Sequence, residues 1–134
     1  RSVIISGDTD LMDDYSFANG VDVLIHEAIL EQESAEISKA ASRVGNDRMA
    51  VVFHDIQNYH ANLMDYEDQP GLLSRLEGID IGMLALIHII PDKDQSIVKR
   101  VLRRFKSKSS HETVVVNDNM VMELPLNSDK IFIK

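Results

Sequence analysis

A chain of 134 residues with 44% apolar and 27% charged residues has the size and composition of one globular domain, set here at 1–134 with no internal boundary. Its formal charge of −8 repels polyanions at long range, which weighs against nucleic acid as the main partner. With no cysteine there is no disulfide framework and no thiolate metal site, and the longest apolar run, Met83 to Ile90, is interrupted by His88 and too short to span a bilayer.

Val3 to Ser6 reads as a short buried strand running into a Gly turn, Ser6-Gly7-Asp8-Thr9, that presents the Asp8 carboxylate. Only Arg1 and Ser2 precede it, and a chain that opens inside a site-bearing strand reads as the later part of a larger fold. Leu11 to Ala18 reads as a short helix stopped by Asn19-Gly20. Val21 to Ile25 is a second strand, running into His26-Glu27-Ala28. Residues 29 to 44 have helical composition and an imperfect apolar stripe, broken by Gly45-Asn46-Asp47. Met49 to Phe53 fits a strand or a helix and leads into the polar stretch His54 to His60. Asn62 with Asp65 suggests the cap of another helix, kinked or restarted at Pro70-Gly71 into Leu72 to Leu76.

Met83 to Ile87 is a third buried strand, ending at His88, and Pro91 prevents its simple continuation. Asp92 to Lys106 is the clearest helix, with Ile97, Val98, Val101, Leu102 and Phe105 on one face. Asp92 and Asp94 stand at its start and six basic residues fall between Lys99 and Lys108, a polarity that complements the helix dipole. Thr113 to Val116 and Met120 to Leu124 flank Asn117-Asp118-Asn119 as a β-hairpin, and Ile131 to Ile133 adds a last short strand. The order of elements predicts α/β layering.

Three strands each end in polar groups: Asp8, then His26-Glu27, then His88. As parallel neighbours they would converge on the carboxyl edge of the sheet, where open α/β sheets bind ligands. His60 follows a polar segment and can reach the same place. Asp, Glu and His at separate strand ends have the make-up of a hydrolytic zinc or iron site. Each residue also has a structural reading. Asp8 can cap a helix, His26 can be a core histidine bonded to backbone, and Glu27 can be a first-turn carboxylate. His54 and His60 can lie in a solvated loop, and His111 is expected to be exposed. A buried His88 needs a partner, which a metal would provide. The basic face between Lys99 and Lys108 reads as a solvated helix face.

In order, Ser-Gly-Asp-Thr, Asp-Val-Leu-Ile-His-Glu-Ala, Tyr-His and Leu-Ala-Leu-Ile-His-Ile-Ile-Pro resemble the C-terminal half of the metallo-β-lactamase superfamily. The branch in question holds ribonuclease Z and the arylsulfatase-like hydrolases. The closing Val-Val-Val-Asn-Asp-Asn-Met-Val-Met-Glu-Leu-Pro is similar to the end of such proteins, so the likeness spans nearly the whole chain. It implies a four-layer αββα sandwich of two similar halves, of which 1–134 is the C-terminal one and the N-terminal one is absent. It also implies a site for two divalent metal ions, zinc, between the halves. On that likeness Asp8 is the bridging carboxylate and His88 the last histidine ligand, while Glu27 and His60 relay a proton to the leaving group. His26 is then a structural neighbour of Glu27, and His54 has no role. The implied reaction is hydrolysis of a phosphodiester, sulfate ester or related ester by a water activated between the cations, with His60 as general acid.

The family's main metal motif, His-x-His-x-Asp-His, has no counterpart here; the five histidines stand at 26, 54, 60, 88 and 111. Asp8 and His88 are too few for a zinc site of three or four protein ligands, so the chain alone is expected to hold no catalytic dimetal centre and to be inactive by itself. After His60 the family commonly has a small hydroxyl residue, where this chain has Ala61 and Asn62. A half-fold should also expose an apolar sheet face, to be covered by the missing half, by a separate chain or by a second copy in a homo-oligomer. Any leader would lie in the missing part, which leaves a lean to the cytoplasm. The alternatives are a non-catalytic binding or structural module on the same half-fold, and a receiver-like signalling domain. The second needs an aspartate and a lysine at strand ends that here carry His-Glu and His.

Overall fold

Four parallel strands lie in the sheet in their sequence order: β1 (Val3–Ile5), β2 (Val21–Ile29), β3 (Ile81–Ile90) and β4 (Thr113–Val115). The computed structural model describes residues 1–91 and 95–134. Parallel neighbours cannot be joined by a tight turn, so each connection is a long crossover. The first crossover holds a single 3₁₀ turn, Ser16–Ala18. The second holds helices α1 (Glu31–Arg43), α2 (Asp47–Tyr59) and α3 (Leu72–Arg75), and the third holds α4 (Gln95–Lys108). Two short antiparallel strands, β5 (Met122–Glu123) and β6 (Phe132–Ile133), close the chain. The fold is α/β, and among the described residues no helix is long and apolar enough to cross a membrane.

One face of the sheet carries the main core. Leu24 and Ala28 of β2 and Leu84, Leu86 and Ile89 of β3 pack there with Val98, Leu102 and Phe105 of α4. Those three helix residues recur at the spacing of one helical face, and burying each such side chain is worth about 1.5–3 kcal/mol. The opposite face is thinner. Val23, Met83 and Ala85 are covered by Met122, Leu124 and Ile131, whereas Val3 and Ile5 of β1 remain 49% and 66% exposed.

Several expectations from sequence change here. Leu11 to Ala18 forms only the 3₁₀ turn. The Asp14 carboxylate accepts from the backbone and hydroxyl of Ser16, and Asp10 accepts from the N–H of Leu11, so local side-chain bonds compete with the helix. The ambiguous segment after Gly45 is helix α2, capped by Asn46, whose side chain accepts from the N–H of Met49. Asn62 and Asp65 start no helix. Asn62 bridges to Ile29 beside the end of β2, and Asp65 instead holds the Gly71 N–H and the Ser74 hydroxyl at the start of α3. The hairpin expected between Thr113 and Leu124 does not form. β4 joins the main sheet in parallel with β3, because Val115 packs on the main core while Val114 and Val116 pack on the other face. β5 pairs instead with β6, in the place expected for the last short strand. Asp92 and Asp94 lie outside the described residues.

Candidate metal centre

Alternation along β2 decides which side chains can meet. Leu24 and Ala28 enter the main core, and His26 enters it with them, so Glu27 faces the other way. Glu27 is nevertheless wholly buried. One carboxylate oxygen accepts from the backbone N–H of Thr9 at 3.0 Å and of Ala61 at 3.4 Å. The carboxylate also accepts from Nδ1 of His60, at 2.9 Å to Oε2. A buried carboxylate without such donors would be strongly destabilising.

His88 reaches this carboxylate through an irregularity in β3. Glu27 pairs with Ile87 and Ile29 with Ile90, so β3 has one residue more than β2 over that interval. This is a β-bulge. Leu84 and Leu86 point into the main core, and regular alternation would send residue 88 after them; with the bulge, Ile89 takes that place. His88 itself stands at φ 48°, a left-handed conformation that costs a residue with a side chain about 1–3 kcal/mol. Its Nδ1 lies 3.1 Å from Asp8 Oδ1 and 3.4 Å from Glu27 Oε2. Asp8 arrives at the end of β1 through the turn at Gly7, where φ is +70°.

His60 follows the last residue of α2. The next residues run along the end of β2: the N–H of Ile29 donates to Ala61 O, and the N–H of Leu63 donates to Ile29 O. That short bridge carries His60 onto Glu27. The rings of His60 and His88 then stand edge to face, 5.8 Å apart at 80°. Glu27, His60 and His88 each offer a ligand atom within 4.8 Å of the others, so the group could hold a metal ion. One carboxylate with two imidazoles suits zinc or ferrous iron.

The other histidines stand apart from this group. His26 donates from Nδ1 to the Glu27 carbonyl at 2.8 Å and accepts at Nε2 from the Tyr15 hydroxyl at 2.9 Å. Burial lowers its pKa, which favours the neutral ring. His54 is exposed on α2. His111, expected to be exposed, is partly buried and donates from Nε2 to Leu76 O at 3.0 Å. Sequence reasoning missed Thr9 and Ala61, whose backbone N–H groups hold Glu27, and a backbone donor leaves no mark in residue type. It also missed Tyr15, whose hydroxyl partners the Nε2 of His26 that the Glu27 carbonyl leaves unprotonated.

A separate acidic group lies at the start of α1. Burial, and then the charge of Glu67, push the Glu31 carboxyl up to about 7, and its Oε2 has no hydrogen-bond partner among the described residues. Comparison with protein-family models and with curated proteins gives no match.

Proposed function

We propose that this chain is the C-terminal half of a metal-dependent hydrolase of the metallo-β-lactamase fold, acting on a phosphodiester, sulfate ester or related ester. The observation that carries this reading is the meeting of Asp8, Glu27, His60 and His88 at one edge of a parallel sheet, in two pairs: Asp8 with His88 and Glu27 with His60. The donor set fits a divalent cation. Each imidazole turns Nδ1 to a carboxylate, which leaves Nε2 as the lone pair available to a metal, the usual arrangement at histidine ligands. Asp8 and His88 would supply two of the metal's ligands, with the rest from the other half, and the metal would supply Lewis-acid polarisation and a nucleophile at neutral pH. When protonated on both nitrogens, His60 would donate from Nε2 to the leaving oxygen. Glu27, buried behind it, stabilises the imidazolium and fixes the ring. The exposed Val3 and Ile5 of β1 support a second body, the N-terminal half or another copy, over the thinner sheet face.

Calorimetric titration with zinc tests the assignment. Asp8→Ala and His88→Ala should each weaken binding about tenfold or more. His60→Gln should leave zinc binding intact, since His60 moves a proton and does not ligate. If His60→Gln weakens binding as much as His88→Ala does, the three ligands are Glu27, His60 and His88. Their ligand atoms, all within 4.8 Å of one another, favour that as the second reading.

A further inference from the structure

Helices α1 and α2 form an antiparallel hairpin that stands off the rest of the fold. Among the described residues neither helix adds a side chain to either apolar core. The residues they bury are small, Ser34, Ala35, Ala41 and Ala50, and the Ser38 hydroxyl of α1 donates to Ala50 O of α2 at 2.9 Å. Most of the larger apolar side chains lie outside this seam. Ile37 and Val44, in and just after α1, fall on one stripe, and Met49, Val52, Ile56 and Tyr59 of α2 fall on another. Each stripe lies roughly a quarter to a third of a turn round from the seam, in the same sense along its own helix. The helices run in opposite directions, so both stripes come to one face of the hairpin. That face is open, with Val44 80%, Val52 47% and Met49 42% exposed. A helix of 13 residues is marginal alone in water and draws most of its stability from covering such a face. We propose that it pairs with the same face of a second copy of this chain, two-fold related and with the helices antiparallel. The proposal is independent of the hydrolase reading.

Charge identifies the occupant. Glu36 and Arg43 stand seven residues apart on α1, and Arg48 and Asp55 stand seven apart on α2. Residues at that spacing share one side of a helix, and both pairs border the apolar face. On each helix the cation is the member nearer the tip of the hairpin at Gly45. The pairs have their midpoints between residues 39 and 40 and between residues 51 and 52. The Ser38 bond to Ala50 sets these two points at about the same level of the hairpin. A single two-fold axis crossing both helices at that level lays tip over base. Arg43 then meets Glu36 of the second copy, Arg48 meets its Asp55, and Val52 meets its own counterpart at the axis. All four charged side chains are exposed, and none has an ion-pair partner among the described residues. A patch that complements itself is what an isologous dimer requires, whereas an unrelated partner or a bilayer has no need of it. Two helices of this length side by side cover roughly 20 by 20 Å. A contact of that size belongs to a weak, reversible dimer.

The test is sedimentation velocity of the purified chain from low micromolar to near-millimolar concentration. The chain should pass reversibly from monomer to dimer. Val52→Glu sets two like charges together at the axis and should weaken the dimer about 100-fold. Arg48→Asp and Asp55→Arg each set like charges face to face and should each weaken it about tenfold. The double variant carrying both exchanges restores opposite charges across the seam and should recover the wild-type affinity. These positions are exposed, so circular dichroism of the dilute monomer should not change in any variant. A chain that stays monomeric at every concentration would overturn the proposal. So would a dimer that survives Val52→Glu and is lost in Ile5→Glu, which belongs to the sheet face, or single charge variants that the double exchange does not rescue. A monomer that instead binds phosphatidylcholine vesicles, and loses them in Val52→Glu, would give the face to a membrane and overturn it as well.

Discussion

The carboxylate of Glu27, wholly buried, lies 2.9 Å from Nδ1 of His60, a ring whose side chain remains 22% exposed. A charge inside the fold thus sets the orientation of a group at its surface. Glu27→Ala should cost about 3 kcal/mol, because the Thr9 and Ala61 N–H groups and two imidazoles lose their common acceptor. Urea unfolding at neutral pH measures this. Glu27→Gln keeps the shape but turns an amide donor towards Nδ1 of His60. That ring should then adopt the other tautomer, visible in the ¹⁵N shifts of its imidazole, with zinc affinity unchanged because His60 does not ligate.

Glu31 gives stability a second dependence on pH. Its carboxyl is raised to about 7 from 4.5, burial being the larger cause and Glu67 the smaller. Between those values the folded chain holds more protons than the unfolded one, so stability falls as pH rises. The contribution is complete below 4.5 and lost by the time pH passes 7. Thermal midpoints measured from acid to neutral pH should therefore decline less steeply in Glu31→Gln than in the wild type.

His26 works in the opposite sense. Burial lowers its pKa, so the unfolded chain takes the proton first and stability is lost as pH falls below 6.5. Tyr15→Phe removes the hydroxyl that donates to its Nε2 and leaves a buried acceptor bare, at a cost of about 1–3 kcal/mol. The same change should flatten the loss of stability in acid, because a ring without that donor protonates more readily in the folded chain and its pKa moves back towards the unfolded value. Chemical denaturation of Tyr15→Phe at neutral and acid pH checks both parts.

Gly71 is required for a different reason from most glycines. Its backbone conformation is open to any residue, but a Cβ there would sit 2.4 Å from the carbonyl carbon and oxygen of Met64. Both are main-chain atoms with nowhere to move, so Gly71→Ala should cost about 3 kcal/mol and disturb the loop that follows His60. Gly45 makes the contrast. Nothing lies within 4 Å of its Cβ position, and at φ +71° an alanine costs about 1–2 kcal/mol in backbone strain alone. Unfolding midpoints of the two variants should differ by that order.

Short apolar runs rich in Val and Ile, bounded by turn residues, made the three strands expected at Val3 to Ser6, Val21 to Ile25 and Met83 to Ile87 legible in sequence. The four polar residues at their ends, and His60, could be named for the same reason. What could not be read was how they face one another. Period-two alternation places residue 88 on the side of Leu84 and Leu86, and only the extra residue of the bulge takes it away. The mistaken hairpin has a similar origin. Val114, Val115 and Val116 are apolar on both sides, which marks a strand buried on two faces, but the Asn-rich turn beside them gave the stronger local signal. Helix α2 was ambiguous because a short apolar run carries no period of its own.

The irregularity at His88 makes the strand end sensitive to length as well as to residue type. Replacing His88 changes the chemistry there and keeps the length of the strand. Deleting Ile89 would restore the regular pairing and send His88 to the side of Leu84 and Leu86, dismantling core and site in one event. Insertions and deletions, more than substitutions, are therefore the changes by which a sheet of this kind would gain or lose such a centre.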